Sequence, residues 1–306
     1  MMKDVFVLVN PASANGSTKK VWPDIEREMK VRGLEFRAHL TTGRGDATLA
    51  VRRALKEGRT TVISIGGDGT ANEVVNGFFE GGAPINPAAR LGLISRGTGC
   101  DLIRTLGIPK DFPAALETIL ANRERKIDLA RVEFSQDGAP QQRYFANIFD
   151  AGLGAVVAAR VNDVSKSAGG FLSFLLGTLK TILAFKSYQA QVTADGVELY
   201  RGPLTLAGAA NGRYFGGGMH LAPVALIDDG ELDLILVRGM GKLSLLVNLV
   251  RIYRGTHLTH PKVSAHRVRE VVITGEKPIE LEMDGETPGK TPATIRVCPG
   301  ALRVLC

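Results

Sequence analysis

Residues 65–73, Ile-Gly-Gly-Asp-Gly-Thr-Ala-Asn-Glu, restrict what this chain can become more than any other stretch. They follow an apolar run at 60–65, TTVISI, which reads as a buried strand, and lead into a helical pattern from about 71 to 79. Gly66, Gly67 and Gly69 let the backbone approach a ligand closely and take positive φ. A helix starting directly after them presents N–H groups and the positive end of its dipole, which together suit a phosphate. An Asp-Gly pair alone is an ordinary turn, and the chain repeats it at Asp137, Asp195, Asp229 and Asp284. The setting between strand and helix distinguishes the pair at Asp68. Other phosphate motifs are absent. There is no GxxxxGK(S/T) segment. Asn72 stands where a dinucleotide GxGxxG pattern has its third glycine. The HRD and DFG set of protein kinases is missing as well.

The flanking sequence alternates between strand and helix patterns. Residues 5–9 and 91–94 read as buried strands, and 34–40 alternates apolar and polar residues. Val21, Trp22, Ile25 and Met29 recur at helical spacing, as do Ala47, Ala50, Val51, Ala54 and Leu55, and a further helix is expected through 111–120. Such alternation predicts a doubly wound α/β domain with a parallel sheet, whose ligands bind beyond the carboxyl ends of the strands. Two more polar, glycine-bearing loops are expected at that edge, Asn10–Gly16 and Ser95–Leu102. Three such loops exceed what turn chemistry alone requires.

Near Ile127 the pattern changes to successive strands: IDLARVEF, RYFANIFD, QVTADGVELY, ELDLILV, REVVIT, IELEM and TIRVC. The expected division is an α/β nucleotide-binding domain over 1–129 and a β-rich domain over 130–306. Asp137-Gly138 and Asp195-Gly196 are expected in hairpin turns. Two segments interrupt the strands. In 171–187, Phe171, Leu172, Leu175, Leu176, Leu179, Ile182 and Leu183 share one helical face, opposite Ser173, Gly177, Lys180, Thr181 and Ser187. In 243–254, Leu245, Leu246, Leu249, Val250 and Tyr253 fall together, followed by Arg251 and Arg254. The first segment is too short, and too interrupted by Lys180, to span a bilayer. Both segments suit packing on the second domain, an acyl-chain pocket or a membrane surface.

Charge and cysteine usage narrow the options. The formal charge of +7 fits anionic partners, but no Lys/Arg run interleaved with aromatics marks a nucleic-acid site. Cys100, Cys298 and Cys306 are widely spaced, so a reducing compartment is expected. The opening residues carry no cleavable apolar stretch, which agrees with a cytoplasmic location.

Taken together, these segments resemble the diacylglycerol-kinase catalytic family, which includes sphingosine kinases and bacterial lipid kinases. GGDGTANEVVNG resembles its signature. Asn10-Pro11 with Ser13 and Gly16 resembles NPxSG with extra residues, and Thr41 with Gly45-Asp46-Ala47 resembles its TxxxGDA. Gly97-Thr98-Gly99-Cys100-Asp101 followed by Gly107-Ile108-Pro109 resembles GTGND…LGIP, with Cys100 in the place of Asn. Ile127-Asp128-Leu129, Asn147, Gly152, Gly154, Asn211-Gly212, Gly216-Gly217-Gly218, Pro223, Asp229-Gly230 and Asp284-Gly285-Glu286 complete the likeness, which extends over nearly the whole chain.

The resemblance implies a β-sandwich-like second domain with added helices. It also implies ATP-dependent phosphorylation of a lipid hydroxyl, with diacylglycerol converted to phosphatidic acid at the inner face of a membrane. Its implied ATP-binding residues are Asn10, Ser13, Thr41, Gly66, Gly67, Asp68, Gly69, Thr70, Ala71, Asn72, Gly97, Thr98, Gly99 and Asp101. Mg²⁺ is implied at Asp229 with the carbonyls of Leu226 and Glu231, an oxygen-only set that suits a hard cation. The implied base is either Asp284 or Glu286. No phosphate-loop lysine is present, so Mg²⁺ and backbone N–H groups are expected to neutralise the phosphates. Two rival readings are an NAD kinase-like phosphotransferase, which also uses a GGDGT loop, and a non-catalytic nucleotide- or lipid-binding protein. The retained carboxylates Asp68, Asp229, Asp284 and Glu286 speak against the second.

Overall fold

The computed structural model describes Met2 and residues 4–136, 138–164 and 171–306, without the side chains of 161–164 and 171–176. The chain divides into two compact units, Met1–Asp128 with Gly300–Cys306, and Leu129–Pro299.

The first unit follows the predicted alternation: β1 (Val5–Val9), α1 (Ser17–Val31), β2 (Phe36–Leu40), α2 (Asp46–Lys56), β3 (Thr61–Gly66) and α3 (Asp68–Gly77). A small hairpin, β4 (Phe79–Glu80) and β5 (Ala83–Pro84), precedes β6 (Arg90–Ser95), α4 (Asp101–Leu106) and α5 (Phe112–Leu120). The strands run parallel in the order β2, β1, β3, β6. Every residue of β1 and β3 is buried, as expected for strands covered on both faces. Helix α3 begins earlier than the sequence pattern suggests, at Asp68 directly after the glycine turn. The expected boundary at 129/130 leaves residues 300–306 in the second domain, whereas in the structure they return to the first. Arg303 and Val304 pair in parallel with Arg90 and Leu91 of β6, and Leu302, Val304 and Leu305 are buried there.

The second unit is mainly antiparallel. Strands β7 (Glu124–Gln136) and β8 (Ala139–Phe145) form a hairpin, whose turn residue Asp137 lies outside the described residues. The expected single strand RYFANIFD is broken at Ala146-Asn147, and β9 (Ile148–Gly152) begins after the break. Helices α6 (Leu153–Val164) and α7 (Phe171–Ala184) follow. Next come β10 (Tyr188–Ala194), β11 (Val197–Ala210), the short pair β12 (Tyr214–Phe215) and β13 (Met219–His220), and β14 (Leu232–Arg238). Helix α8 (Lys242–Tyr253), β15 (Val263–Val268), β16 (Glu270–Gly275), β17 (Leu281–Met283) and β18 (Lys290–Leu305) complete the chain. The β10–β11 turn has φ of 47° at Asp195 and 80° at Gly196, a primed turn that suits Asp-Gly.

Two-residue periodicity separates two cores. Phe149, Ala207, Ala209, Leu234 and Leu236 join one cluster, while their neighbours Ile148, Leu206, Ala210 and Ile235 join the other. The second cluster includes Leu245 of α8 and Ile182 of α7. The predicted face of α7 needs correction in its described part: Thr178 and Thr181 are buried, and Leu183 is exposed. Thr181 can be buried because its hydroxyl donates to the Gly177 carbonyl one turn earlier. The side chains of Phe171, Leu172, Ser173, Leu175 and Leu176 lie outside the description.

Candidate active site

The strands of the first unit end in register, so their loops leave the same sheet edge. Val9 lies opposite Leu40 and Ile65, and Gly66 lies opposite Ser95. The next residues, Asn10, Thr41, Gly67 and Arg96, therefore begin four neighbouring loops. The Asn10 N–H donates to the Ile65 carbonyl, the Thr41 N–H to Val9 and the Arg96 N–H to Gly66, which extends the pairing by one residue.

Motif side chains hold these loops to one another. The Asn10 amide donates to Thr70 Oγ1 at 2.9 Å. Ser13 Oγ donates to the Asn10 carbonyl and lies 2.7 Å from Thr18 Oγ1. The extra residues of this loop are absorbed by three successive left-handed conformations, at Ala14, Asn15 and Gly16, directly before α1. Glu73 accepts from the Gly45 N–H at 2.9 Å and so fixes the start of α2. Asp46 accepts from the N–H and hydroxyl of Thr42. The Thr42 amide chiefly holds the Asp46 carboxyl below its usual range, against the opposing effect of burial.

Asp68 couples the two glycine loops. Its carboxylate accepts from the backbone N–H groups of Cys100 (2.8 Å), Asp101 (3.1 Å) and Leu102 (3.5 Å). Burial pushes this carboxyl up, and those three amides pull it back towards the ionised form. The contact requires glycine on the facing loop. A Cβ on Gly97 would lie 2.9 Å from the Gly67 Cα, and one on Gly99 would lie 2.8 Å from Asp68 Oδ2. Cys100 takes the left-handed conformation (φ 56°, ψ 38°), a region Asn tolerates better than most residues. Its buried thiol donates to the Gly97 carbonyl at 3.0 Å. The Cys100 side chain thus serves the turn itself. Asp101 is buried and accepts from Arg104, while Thr98 is exposed. Gly67 caps α3 without a side-chain hydrogen bond, and Gly69, Thr70, Ala71 and Asn72 form the first turns of that helix.

Sequence reasoning missed Arg96. In the absence of a phosphate-loop lysine, neutralisation was expected from Mg²⁺ and backbone N–H groups, with no role for this arginine. The Arg96 guanidinium reaches Ser17 Oγ at the start of α1 (3.4 Å), and its buried Nε has no hydrogen-bond partner in the described structure. The signal was an arginine between a strand end and Gly97.

The remaining predicted residues lie in the second unit. Asp284 and Gly285 have φ of 49° and 92°, and the Met283 and Glu286 backbones exchange hydrogen bonds across this turn. The Asp284 carboxylate accepts from the N–H groups of Ala146 (2.9 Å), Asn147 (3.1 Å) and Ile148 (3.0 Å). These are the residues at which the expected strand breaks, and the grip explains the break. Asn211 donates to the Ala146 carbonyl at 2.7 Å, and Asn147 donates to the Tyr214 carbonyl. The Glu286 side chain is half-buried at the end of the turn.

Beneath this turn lies a second feature the sequence did not reveal. Asp150 of β9 and Glu282 of β17 are opposite each other in register, and both are buried. Burial raises the Asp150 carboxyl to about 6 and the Glu282 carboxyl well above its usual range. Glu282 also accepts from the Gly285 N–H.

In the expected metal loop, Asp229 Oδ1 accepts from the Glu231 N–H at 3.1 Å, and both carboxylates pair with Arg267. Burial pushes the nearby Asp233 carboxyl up. Arg267 opposes this, and Asp229 and Glu231 reinforce it. Among the described residues no cluster of three or more His, Cys, Asp or Glu side chains is arranged to hold a metal. The expected set needs only the Asp229 carboxylate with two carbonyls. Its oxygen donors fit a hard cation, which would take over charge that Arg267 now neutralises.

Comparison with known proteins covers the same two regions. The diacylglycerol kinase catalytic domain matches residues 4–132, and the YegS C-terminal NAD kinase beta sandwich-like domain matches residues 147–306. A diacylglycerol kinase of Staphylococcus haemolyticus (strain JCSC1435) is 32% identical over 297 residues, which are 96% of this chain and 85% of the relative. A diacylglycerol kinase of Staphylococcus aureus (strain MRSA252) is 32% identical over 295 residues, 96% of this chain and 89% of the relative. A solved structure from Bacillus anthracis strain Sterne, provisionally named a diacylglycerol kinase, superposes with a TM-score of 0.76. Its identity is 25%, and the match covers 98% of this chain and 96% of that one.

Proposed function

This chain belongs to the diacylglycerol kinase family of lipid kinases, and on that premise we propose that it transfers the γ-phosphate of ATP to the primary hydroxyl of diacylglycerol, giving phosphatidic acid and ADP. The observation that carries the reading is the Asp68 grip on the Cys100–Leu102 amides. It locks two glycine loops together at the edge where doubly wound sheets bind phosphate.

In this reading the backbone N–H groups at the start of α3 and of the Gly97–Gly99 loop hold the phosphates. Asn10, Ser13, Thr41, Asp68, Thr70, Asn72 and Asp101 shape and brace their surroundings. Arg96 supplies the cation that a phosphate-loop lysine supplies elsewhere. Asp229 and the carbonyls of Leu226 and Glu231 would hold Mg²⁺, which would supply the divalent charge that phosphoryl transfer uses.

Between the two candidate bases, the geometry favours Glu286. Both oxygens of Asp284 already accept backbone N–H bonds, so this residue positions the turn. Glu286 takes the proton of the lipid hydroxyl as its oxygen attacks the γ-phosphorus, and ADP leaves with the electron pair of the broken P–O bond.

Kinetics of two variants on diacylglycerol in mixed micelles test these roles. Glu286→Gln lowers kcat by about 10²–10⁴-fold with little change in Tm. Asp284→Asn lowers Tm, because its amide nitrogen would face N–H donors. The reverse pattern would make Asp284 the base. The working location follows from the substrate: the protein acts peripherally at the inner face of a membrane, and no helix among the described residues is long and apolar enough to cross one.

A further inference from the structure

Helix α8 is apolar on both sides. Its inner side contributes Leu245, with Leu246, Leu249 and Ile252 packed beside it, to the second core cluster. A helix packed on a domain ordinarily turns polar residues outward. The outward face here carries Leu243, Val247 and Val250, which are 77%, 56% and 59% exposed. Their spacing of four and three residues makes one stripe along the helix. Arg254 continues that stripe, and Lys242 stands at the first turn. Neither cation has a carboxylate partner among the described residues. The surrounding segment is basic: from Leu234 to Arg269 there is no Asp or Glu, while Arg238, Lys242, Arg251, Arg254 and Lys262 are present, and the two arginines at its end, Arg267 and Arg269, pair with the preceding acidic loop.

From this combination we infer that the outer face of α8 is a docking surface for an anionic lipid bilayer. The helix lies in the plane of the interface, with Leu243, Val247 and Val250 among the acyl chains and Lys242 and Arg254 at the headgroups. A second copy of the chain is the less suitable occupant, because two such faces would bring like charges together. The inference deepens the lipid-kinase reading and rests on it only for the purpose of docking. The contact itself needs no substrate.

Co-sedimentation of the full chain with phosphatidylcholine vesicles, with and without phosphatidylglycerol and free of diacylglycerol, measures the contact alone. Turnover on a short-chain, water-dispersed diacylglycerol is measured beside it. The wild-type protein partitions onto the anionic vesicles, and added salt releases it. Val247→Asp with Val250→Asp weakens partitioning about 10–100-fold, and Lys242→Gln with Arg254→Gln weakens it roughly tenfold or more. Both variants keep wild-type turnover on the dispersed acceptor, which also establishes that they fold. Unchanged vesicle binding by the aspartate variant would overturn the inference, as would a wild-type protein that ignores anionic vesicles. A wild-type dimer that the aspartate variant converts to monomer would overturn it in favour of self-association. Loss of turnover on diacylglycerol with intact vesicle binding would instead count against the substrate assignment.

Discussion

At the scale of single residues, several acidic side chains serve as acceptors for the backbone. Asp68 and Asp284 each accept from three consecutive N–H groups, and each thereby fixes a loop far away in sequence. The chain reveals that both residues belong to motifs. It does not reveal their partners, because those depend on strand register and on a break between β8 and β9 that apolar spacing does not mark. The Asp150–Glu282 pair was hidden for the same reason, since only the antiparallel register of β9 and β17 brings the two together. This pair has a consequence for stability. Burial raises both carboxyls above their unfolded values, so the folded state holds a proton where the unfolded chain releases it. Stability is therefore greatest below pH ~4 in this contribution and falls as pH rises through about 6 and beyond, by roughly 1–3 kcal/mol. In Glu282→Gln the amide can donate to Asp150 while its oxygen accepts from Gly285. This variant flattens the fall in Tm between about pH 5 and pH 8 in thermal melts. A variant with the wild-type slope would assign the pH dependence to other groups.

At the scale of elements, the first domain was the more legible. Its helices are long and amphipathic, and its strands carry continuous apolar runs, so period and length agree. Short elements escaped notice: α4 has six residues directly after a glycine loop, and the end of β18 reads like any terminal strand. The parallel return of residues 303–304 beside β6 is a long-range pairing without a local signal. The glycine loops themselves were recognised, but the reason for their composition is spatial. Gly67 and Gly97 pack backbone to backbone, so a methyl group must push the loops apart. Gly97→Ala is expected to raise the KM for ATP about tenfold or more, with a stability loss of roughly 1–3 kcal/mol. Steady-state kinetics at varied ATP, paired with thermal melts, measure both. An unchanged KM would mean that this close approach does not shape the nucleotide site. The second domain was legible as a series of strands, less so as a pairing order. β11 changes neighbours along its length, with β10 beside its first half and β9 beside its second, and a linear pattern cannot express that change.

At the scale of the whole molecule, the family assignment extends over both compact units, and the sequence motifs that supported it recur in the structure as bracing contacts. In the proposed mechanism those braces present backbone N–H groups and Arg96 to the nucleotide, and the Asp284–Glu286 turn supplies the base for the acceptor hydroxyl. Net charge alone allowed nucleic acid, lipid or phosphate as partner. Its concentration into an acid-free segment around α8 favours an anionic bilayer. The central claim is transfer of phosphate from ATP to diacylglycerol, and the direct measurement is transfer of label from γ-labelled ATP with Mg²⁺. Diacylglycerol, a sphingoid base, phosphatidylglycerol and a polyprenol are offered separately in mixed micelles, NAD is offered in solution, and Glu286→Gln runs as the control. The account predicts label in extracted phosphatidic acid, lost in the control. Label in NAD or in a different lipid, with diacylglycerol unlabelled, would contradict it.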